Sequence, residues 1–246
     1  MVRKTLLNLL FLFSVQAVSS QVLITLLLGD KLNSPNIEFG LEGGYNFSDI
    51  SGLDSSNRLG TFNLGFYFNF KMQEQLYLYT GVLVKSNLGT ADLSLADLEA
   101  SGVNFISHDG TYTQRINYFI VPAYAKYVFN NNIYVEAGPQ FGLRYKAYVE
   151  YVNEAVGIDT RIRQDNKDAI NPIEAGAGMG IGYRFKKIGG LSVGLSYFQG
   201  LVNVYKENSK TKNNSIFLKL NLPIGAKKSA KKIEEEPVIK TDSLSD

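Results

Sequence analysis

The chain has 246 residues, with 25 Lys and Arg against 23 Asp and Glu. Arg3 and Lys4 carry the whole basic excess, because residues 1–20 contain no acid, so the global charge gives no sign of a nucleic-acid partner. The absence of Cys excludes disulfides, thiol catalysis and thiolate metal sites, while 23 Gly, 15 Tyr and 15 Phe suit curved strands with aromatic ends.

Arg3-Lys4, the apolar run Leu6 to Val15 and Ala17-Val18-Ser19-Ser20 read as the three regions of a secretory signal peptide, residues 1–20, with cleavage before Gln21. The apolar run is too short to cross about 30 Å as a helix. Residues 21–35 are expected to form an N-terminal periplasmic segment, in which Val22 to Leu28 is a short buried strand or packs at a barrel rim.

From Ile37 the pattern changes to period 2. Ile37, Phe39, Leu41, Tyr45 and Phe47 alternate with Glu38, Gly40, Glu42, Gly44 and Asn46, which predicts a strand with one apolar face. The second strand sets Phe62, Leu64, Phe66, Phe68 and Phe70 against Thr61, Asn63, Gly65 and Asn69, a face that would aggregate in water and is solvated in lipid. In the third, Leu76 to Lys85, the facing is ambiguous, because Tyr77, Tyr79 and Leu83 compete with Leu76, Leu78, Val82 and Val84. The fourth and fifth are a hairpin from about Ile116 to Tyr148, turning at Asn130-Asn131-Asn132. Its second arm puts Ile133, Val135, Ala137, Pro139, Phe141, Leu143, Tyr145 and Ala147 on one face. The sixth, Pro172 to Phe185, has a second face that is mostly glycine and leaves room for large neighbours. The seventh, Leu191 to Asn203, and the eighth, Asn214 to Pro223, alternate in the same way.

The links alternate in length as well. Those around Met72-Gln73-Glu74, Asn130-Asn131-Asn132 and Lys187-Ile188-Gly189 are short, while Asp49–Leu59, Ser86–Tyr112, Val149–Asn171 and Val204–Asn213 are longer and polar. Short periplasmic turns, long extracellular loops and an even strand number are the pattern of outer-membrane barrels. The predicted fold is therefore all-β: an eight-stranded antiparallel transmembrane β-barrel with long extracellular loops, residues 36–225. It would lie in the outer membrane of a Gram-negative cell envelope with both termini periplasmic. Residues 226–246, with a Lys run, a Glu run and Pro237, are expected to form a disordered periplasmic tail.

Tyr118-Phe119-Ile120-Val121-Pro122, Lys126-Tyr127 and Tyr134-Val135-Glu136-Ala137-Gly138-Pro139-Gln140-Phe141-Gly142 resemble the PorT-like outer-membrane β-barrel proteins of Bacteroidota. Glu38-Phe39-Gly40, Gly43-Gly44-Tyr45-Asn46-Phe47-Ser48 and Tyr197-Phe198-Gln199-Gly200-Leu201 extend the resemblance over most of residues 36–224. The chain departs from the family at Ile120, where a Glu commonly precedes the aliphatic-Pro pair. The resemblance implies a fold and a location and, by analogy with one member, an association with secretion; it implies no mechanism.

If the apolar faces meet lipid, the lumen receives Glu38, Glu42, Lys126, Glu136, Arg144, Lys146, Glu174, Arg184 and Lys219. Eight strands enclose a space that such side chains fill, so these residues are expected to form a structural ion-pair network, with Glu136 and Glu174 partnered among Arg144, Arg184, Lys126 and Lys219, and a porin is excluded. His108, in Ser107-His108-Asp109-Gly110, reads as a turn histidine, because adjacency in sequence does not converge three side chains into a catalytic triad. The segment from Ala91 to Glu99 could form one or two helical turns or extend a hairpin. No calcium-loop spacing occurs, and Gly176–Gly182 lacks the strand-turn-helix context of a dinucleotide site. No catalytic, cofactor-binding or metal residue is assigned. The reading is a small, non-enzymatic outer-membrane barrel without an open pore, which anchors surface loops for partner binding or envelope structure. Its partners would be outer-membrane lipid and an envelope or surface protein, not nucleic acid. The alternative is a barrel enzyme acting on lipid, and a soluble lipocalin-like barrel is disfavoured because its apolar face would have to point inward.

Overall fold

The computed structural model describes residues 32–54, 57–155, 158–186 and 190–224. The signal peptide, the Val22 to Leu28 run, the Lys187-Ile188-Gly189 link and the 226–246 tail lie outside these residues. Ten strands occur among them: β1 (Ile37–Ser51), β2 (Asn57–Lys71), β3 (Leu76–Lys85), β4 (Asn87–Ala91), β5 (Thr111–Val128), β6 (Ile133–Ala155), β7 (Ile158–Asp165), β8 (Ile173–Arg184), β9 (Ser192–Gly200) and β10 (Lys212–Pro223). Antiparallel pairing runs from β1 through β2, β3, β5, β6, β8, β9 and β10 and returns to β1, where Gly40 lies opposite Pro223. The ring therefore has eight positions. Closure gives every ring strand two neighbours, the condition for strands in hydrocarbon, where water cannot satisfy an open edge. β4 continues β3 beyond a break at Ser86 and takes the same place between β2 and β5, while β7 pairs with β6 and stands outside the ring.

Alternation fixes which side chains fill the barrel. In β2, Leu59, Thr61, Asn63, Tyr67 and Asn69 are buried inside, and Phe62 and Leu64 are exposed outside. The ambiguous strand β3 resolves with Tyr79 and Leu83 inward and Leu78 and Val84 outward. Tyr79 belongs inside because its hydroxyl finds polar partners there, Glu42 and Asn221. The glycine face of β8 receives aromatic rings from its neighbour β6 and from β5 beyond it. A β-carbon at Gly178 would lie 2.2 Å from the Tyr124 hydroxyl, and one at Gly182 would lie 2.3 Å from Tyr134 Cζ. Outward aromatics form two bands, with Tyr45–Phe47 and Phe119–Tyr145 (ring centroids 5.1 and 4.7 Å apart) toward the long loops. Phe68–Phe70 and Tyr183–Phe185 (5.9 and 5.4 Å) lie toward the short turns. Such girdles mark the two interfaces of a bilayer.

The structure departs from the expected strand limits above the loop-side girdle. β1 and β2 run into the expected Asp49–Leu59 loop, and β6 and β7 occupy most of the expected Val149–Asn171 loop. On the β5–β6 ladder Tyr118 pairs with Arg144 and Asn117 with Lys146, so Tyr145 is an extra, bulged residue. The bulge inverts the parity of β6. Ala147, Val149 and Tyr151 turn into the core, whereas Lys146 is exposed on the outer face instead of entering the lumen as expected.

Candidate functional site

Inside the barrel the charged side chains form a column at the short-turn end. Arg184 Nη2 donates to Glu38 Oε1 and Oε2 at 3.1 and 3.3 Å, and Glu38 Oε1 also accepts from Asn69 Nδ2 at 2.8 Å and the Tyr67 hydroxyl at 3.2 Å. One layer further in, Lys219 Nζ donates to Glu136 Oε1 at 2.6 Å and lies 4.0 Å from Glu42 Oε1, while Lys126 Nζ is 3.9 Å from Glu136 Oε2. The two ammonium groups also sit over rings: Lys219 is 4.0 Å from the Tyr79 centroid and Lys126 is 3.8 Å from that of Tyr134. The Tyr79 hydroxyl donates to Glu42 and accepts from Asn221 Nδ2 at 3.2 Å. Three carboxylates thus face three cations in a buried interior, and the phenols of Tyr67 and Tyr79 supply hydrogen bonds to two of the carboxylates, Glu38 and Glu42.

Of the nine lumen residues expected from sequence, Glu38, Glu42, Lys126, Glu136, Arg184 and Lys219 come together in this column. Glu174 is buried near the opposite end, bonded to Asn213 Nδ2 and to the backbone N–H of Ala175 at 3.1 Å. Arg144 donates from Nε to the Asn171 carbonyl at 3.4 Å, and no ion pair joins Arg144 or Glu174 to the column among the described residues. A residual cavity between Glu42, Tyr124, Gln140 and Lys219 has about 10 Å³, room for about one water molecule and too little for a channel.

Above the column the long loops fold onto one another. Ile50, Leu88, Ile116, Ile170, Val204 and Tyr205 pack across the barrel mouth, and Leu93, Leu98, Tyr112, Val149 and Tyr151 form a second cluster beyond them. Helix α1 (Leu95–Ser101) contributes Leu98. A capping box starts the helix: Asp97 N–H donates to Ser94 Oγ at 3.1 Å and Ser94 N–H to Asp97 Oδ2 at 3.0 Å. Gly102 stops it at φ 71°. Asp97 Oδ1 also accepts from the backbone of Asp54 at 2.9 Å, which ties the β1–β2 loop to the helix. Gln114 Oε1 accepts from Asn166 Nδ2 at 2.6 Å and the Tyr205 hydroxyl at 2.9 Å, joining three further segments. In the His108 turn, the Ser107 hydroxyl donates to Asp109 Oδ2 at 3.1 Å while the His108 ring packs on Phe105 at 4.6 Å. The hydroxyl therefore bypasses the imidazole, and no Ser-His-Asp relay is formed. Among the described residues no three His, Cys, Asp or Glu side chains converge as metal ligands.

A charged cluster on the outer face of the β5–β6–β7 ribbon was not foreseen from sequence. Glu150, nearly buried, accepts from Arg163 Nε at 2.8 Å and Arg115 Nε at 3.0 Å, with Arg161 Nε at 4.0 Å. Burial would raise the Glu150 carboxyl, but the hydrogen bond from Arg163 and the charge and hydrogen bond of Arg115 outweigh it and hold the group below its usual range. A carboxyl depressed in the folded state stabilises the ribbon above its unfolded pKa, about 4.3, and loses that contribution as pH falls through the folded value. Protection of the amides of 146–153 and 160–165, relative to their intrinsic exchange rates, is therefore expected to fall below about pH 4 while the barrel strands keep theirs. Equal protection at acid and neutral pH would show that the cluster does not hold the ribbon.

Residues 31–206 match the sequence model of a family described as outer membrane protein beta-barrel domain. No curated protein matches the chain. Among solved structures, Ail, the attachment invasion locus protein of Yersinia pestis, in complex with the heparin analogue sucrose octasulfate, is 10% identical, with a TM-score of 0.42 over 77% of this chain and 99% of that one. Neisserial surface protein A is 9% identical over 75% and 96%, with a TM-score of 0.35. OprG of Pseudomonas aeruginosa is 11% identical over 78% and 94%, with a TM-score of 0.32.

Proposed function

Because the chain belongs to the outer membrane protein beta-barrel domain family and resides in the Gram-negative outer membrane, we propose that it is a closed, non-enzymatic barrel of the PorT-like kind whose loops form a fixed binding platform at the cell surface. The supporting observation is the packing of the loop end. Loops that served only to connect strands would need no core of their own, yet these bury Leu93, Leu98, Tyr112, Val149 and Tyr151 together and interlock through Gln114, Asn166 and Tyr205. A rigid platform lowers the entropy lost on binding, which is how a surface gains affinity without gaining area. The lumen column then acts as the structural keel of that platform, and the signal peptide 1–20 and the tail 226–246 are its export signal and its periplasmic end. An association with secretion fits such a platform and the PorT-like resemblance.

The test is photocrosslinking on intact cells with a probe at Phe105 or Ile106, both exposed beside α1. A discrete adduct is expected from the full chain, lost when residues 103–108 are replaced by a Gly-Ser link in a chain that still shows heat-modifiable migration. The same adduct from both chains, or none from either, would refute the platform.

A further inference from the structure

We infer that the outer face of the β5–β6–β7 ribbon is a binding site for the phosphate groups of the anionic glycolipid in the outer leaflet. The inference deepens the proposed surface role and rests on the long loops facing outward.

Position is the first observation. Tyr145 stacks on Phe119 in the loop-side girdle, and the bulge at Tyr145 turns the next residue, Lys146, to the outer face and Ala147 to the core. Without that extra residue Lys146 would enter the barrel. Paired positions share a face of the sheet, so Asn117–Lys146, Arg115–Tyr148–Asp165 and Glu150–Arg163 rise in successive rows above the girdle on its lipid side. At about 3.4 Å per residue and a tilt of about 45°, these rows rise roughly 2 to 12 Å above Tyr145. The headgroup region occupies about the first 5–8 Å beyond the hydrocarbon. Lys146 and Arg115 therefore lie within it, and the longer arginine side chains above can reach down to it.

Charge is the second. The rows nearest the girdle hold Arg115, Lys146, Arg161 and Arg163 against the carboxylates of Glu150 and Asp165, with the Glu154–Asp159 position further up at the ribbon's tip, and Asp165 already accepts the backbone N–H of Lys167 at 3.1 Å. Three guanidinium groups around Glu150 leave a cationic surplus after one carboxylate is neutralised. Arg115 and Arg163 both engage Glu150 through Nε, which orients their planes and leaves the terminal nitrogens as donors. Lys146 and Arg163 also flank the Tyr148 ring at 5.0 and 5.2 Å. Glu150 and Tyr148 thus gather several like charges that one carboxylate only partly neutralises, and a further anion among them would relieve the remainder. A phosphate monoester accepts bidentate bonds from such forks and carries the charge to neutralise them. A soluble acidic peptide has the charge but no reason to favour a site at the edge of the lipid.

The full chain, folded in detergent micelles, would be titrated with phosphorylated lipid A, dephosphorylated lipid A, inorganic phosphate and an acidic peptide. The wild type is expected to prefer phosphorylated over dephosphorylated lipid A by about 10-fold or more, with millimolar phosphate and the peptide failing to displace the lipid. Arg161→Gln/Arg163→Gln should weaken the phosphorylated lipid about 30-fold and leave the dephosphorylated one unchanged. Heat-modifiable migration checks that the double variant folds, and if it does not, Lys146→Gln alone should read about 5-fold. Equal binding of the two lipids by the wild type, undiminished binding by folded variants, or displacement by peptide or free phosphate would each overturn the site. The components are purified, so this result is independent of whether the loops also hold a protein.

Discussion

Lys219→Met is expected to destabilise the barrel by about 3–5 kcal/mol, the typical loss when one partner of a buried ion pair is removed. The Lys219 side chain is 6% exposed, and its ammonium answers Glu136 at 2.6 Å and Glu42 at 4.0 Å. Without it two carboxylates remain in the lumen with Lys126, whose nearest approach to Glu136 is 3.9 Å. Urea titration followed by heat-modifiable migration should show an earlier transition. Adding Glu136→Gln should recover much of the loss, because the stranded charge goes with it, and that non-additivity separates an electrostatic cause from a packing defect. Arg184→Ala should cost less, since Glu38 keeps Asn69 and Tyr67 and its side chain is 16% exposed. Arg144→Ala should have little effect, because it makes no ion pair among the described residues. A wild-type transition for Lys219→Met would mean that the column contributes nothing to stability.

Gly182→Val should prevent the folded form from accumulating, at a cost of about 3 kcal/mol or more. Gly182 lies opposite Gly194 on the β8–β9 ladder, and the Tyr134 ring crosses both. A β-carbon at 182 would sit 2.3 Å from Tyr134 Cζ and 2.3 Å from the Val193 carbonyl oxygen, and one at 194 would sit 2.2 Å from the Tyr134 hydroxyl. The ring could swing aside only by leaving Lys126, and the carbonyl belongs to a neighbouring strand and cannot move alone. Gly43→Ala is the control: its β-carbon meets nothing within 4 Å and would face lipid. If both variants fold alike in detergent, the glycines of β8 and β9 are not seats for lumen rings.

The alternation was readable because two environments enforce it on every spanning strand, apolar solvent outside and a crowded polar interior inside. β2 has Phe62, Leu64, Phe66, Phe68 and Phe70 on one side for this reason. Periodicity fails where an apolar body and a polar tip share one side chain. Tyr77 and Tyr79 looked as suited to lipid as Leu76 and Leu78, and what places Tyr79 inside is a carboxylate on another strand. It fails again at Tyr145, where one inserted residue exchanges the faces of everything after it without altering the local composition. The segments above the girdle looked like loops because their polar residues outnumber the apolar ones. Leu93, Leu98 and Tyr112 meet Tyr151 in a core only once two separate connections are brought to the same mouth. The arginines around Glu150 come from β5 and β7 on either side of β6, a convergence that the register creates and spacing along the chain does not express.

The seam between β1 and β10 also sets the order of events during biogenesis. Gly40 faces Pro223, and the ammonium of Lys219 meets a carboxylate 83 positions earlier in the chain, at Glu136. β1 cannot complete its hydrogen bonding until β10 has been delivered, so the ring closes only after the last strand arrives. Sealing of the seam and completion of the lumen column are then coupled, because Lys219 belongs to the closing strand.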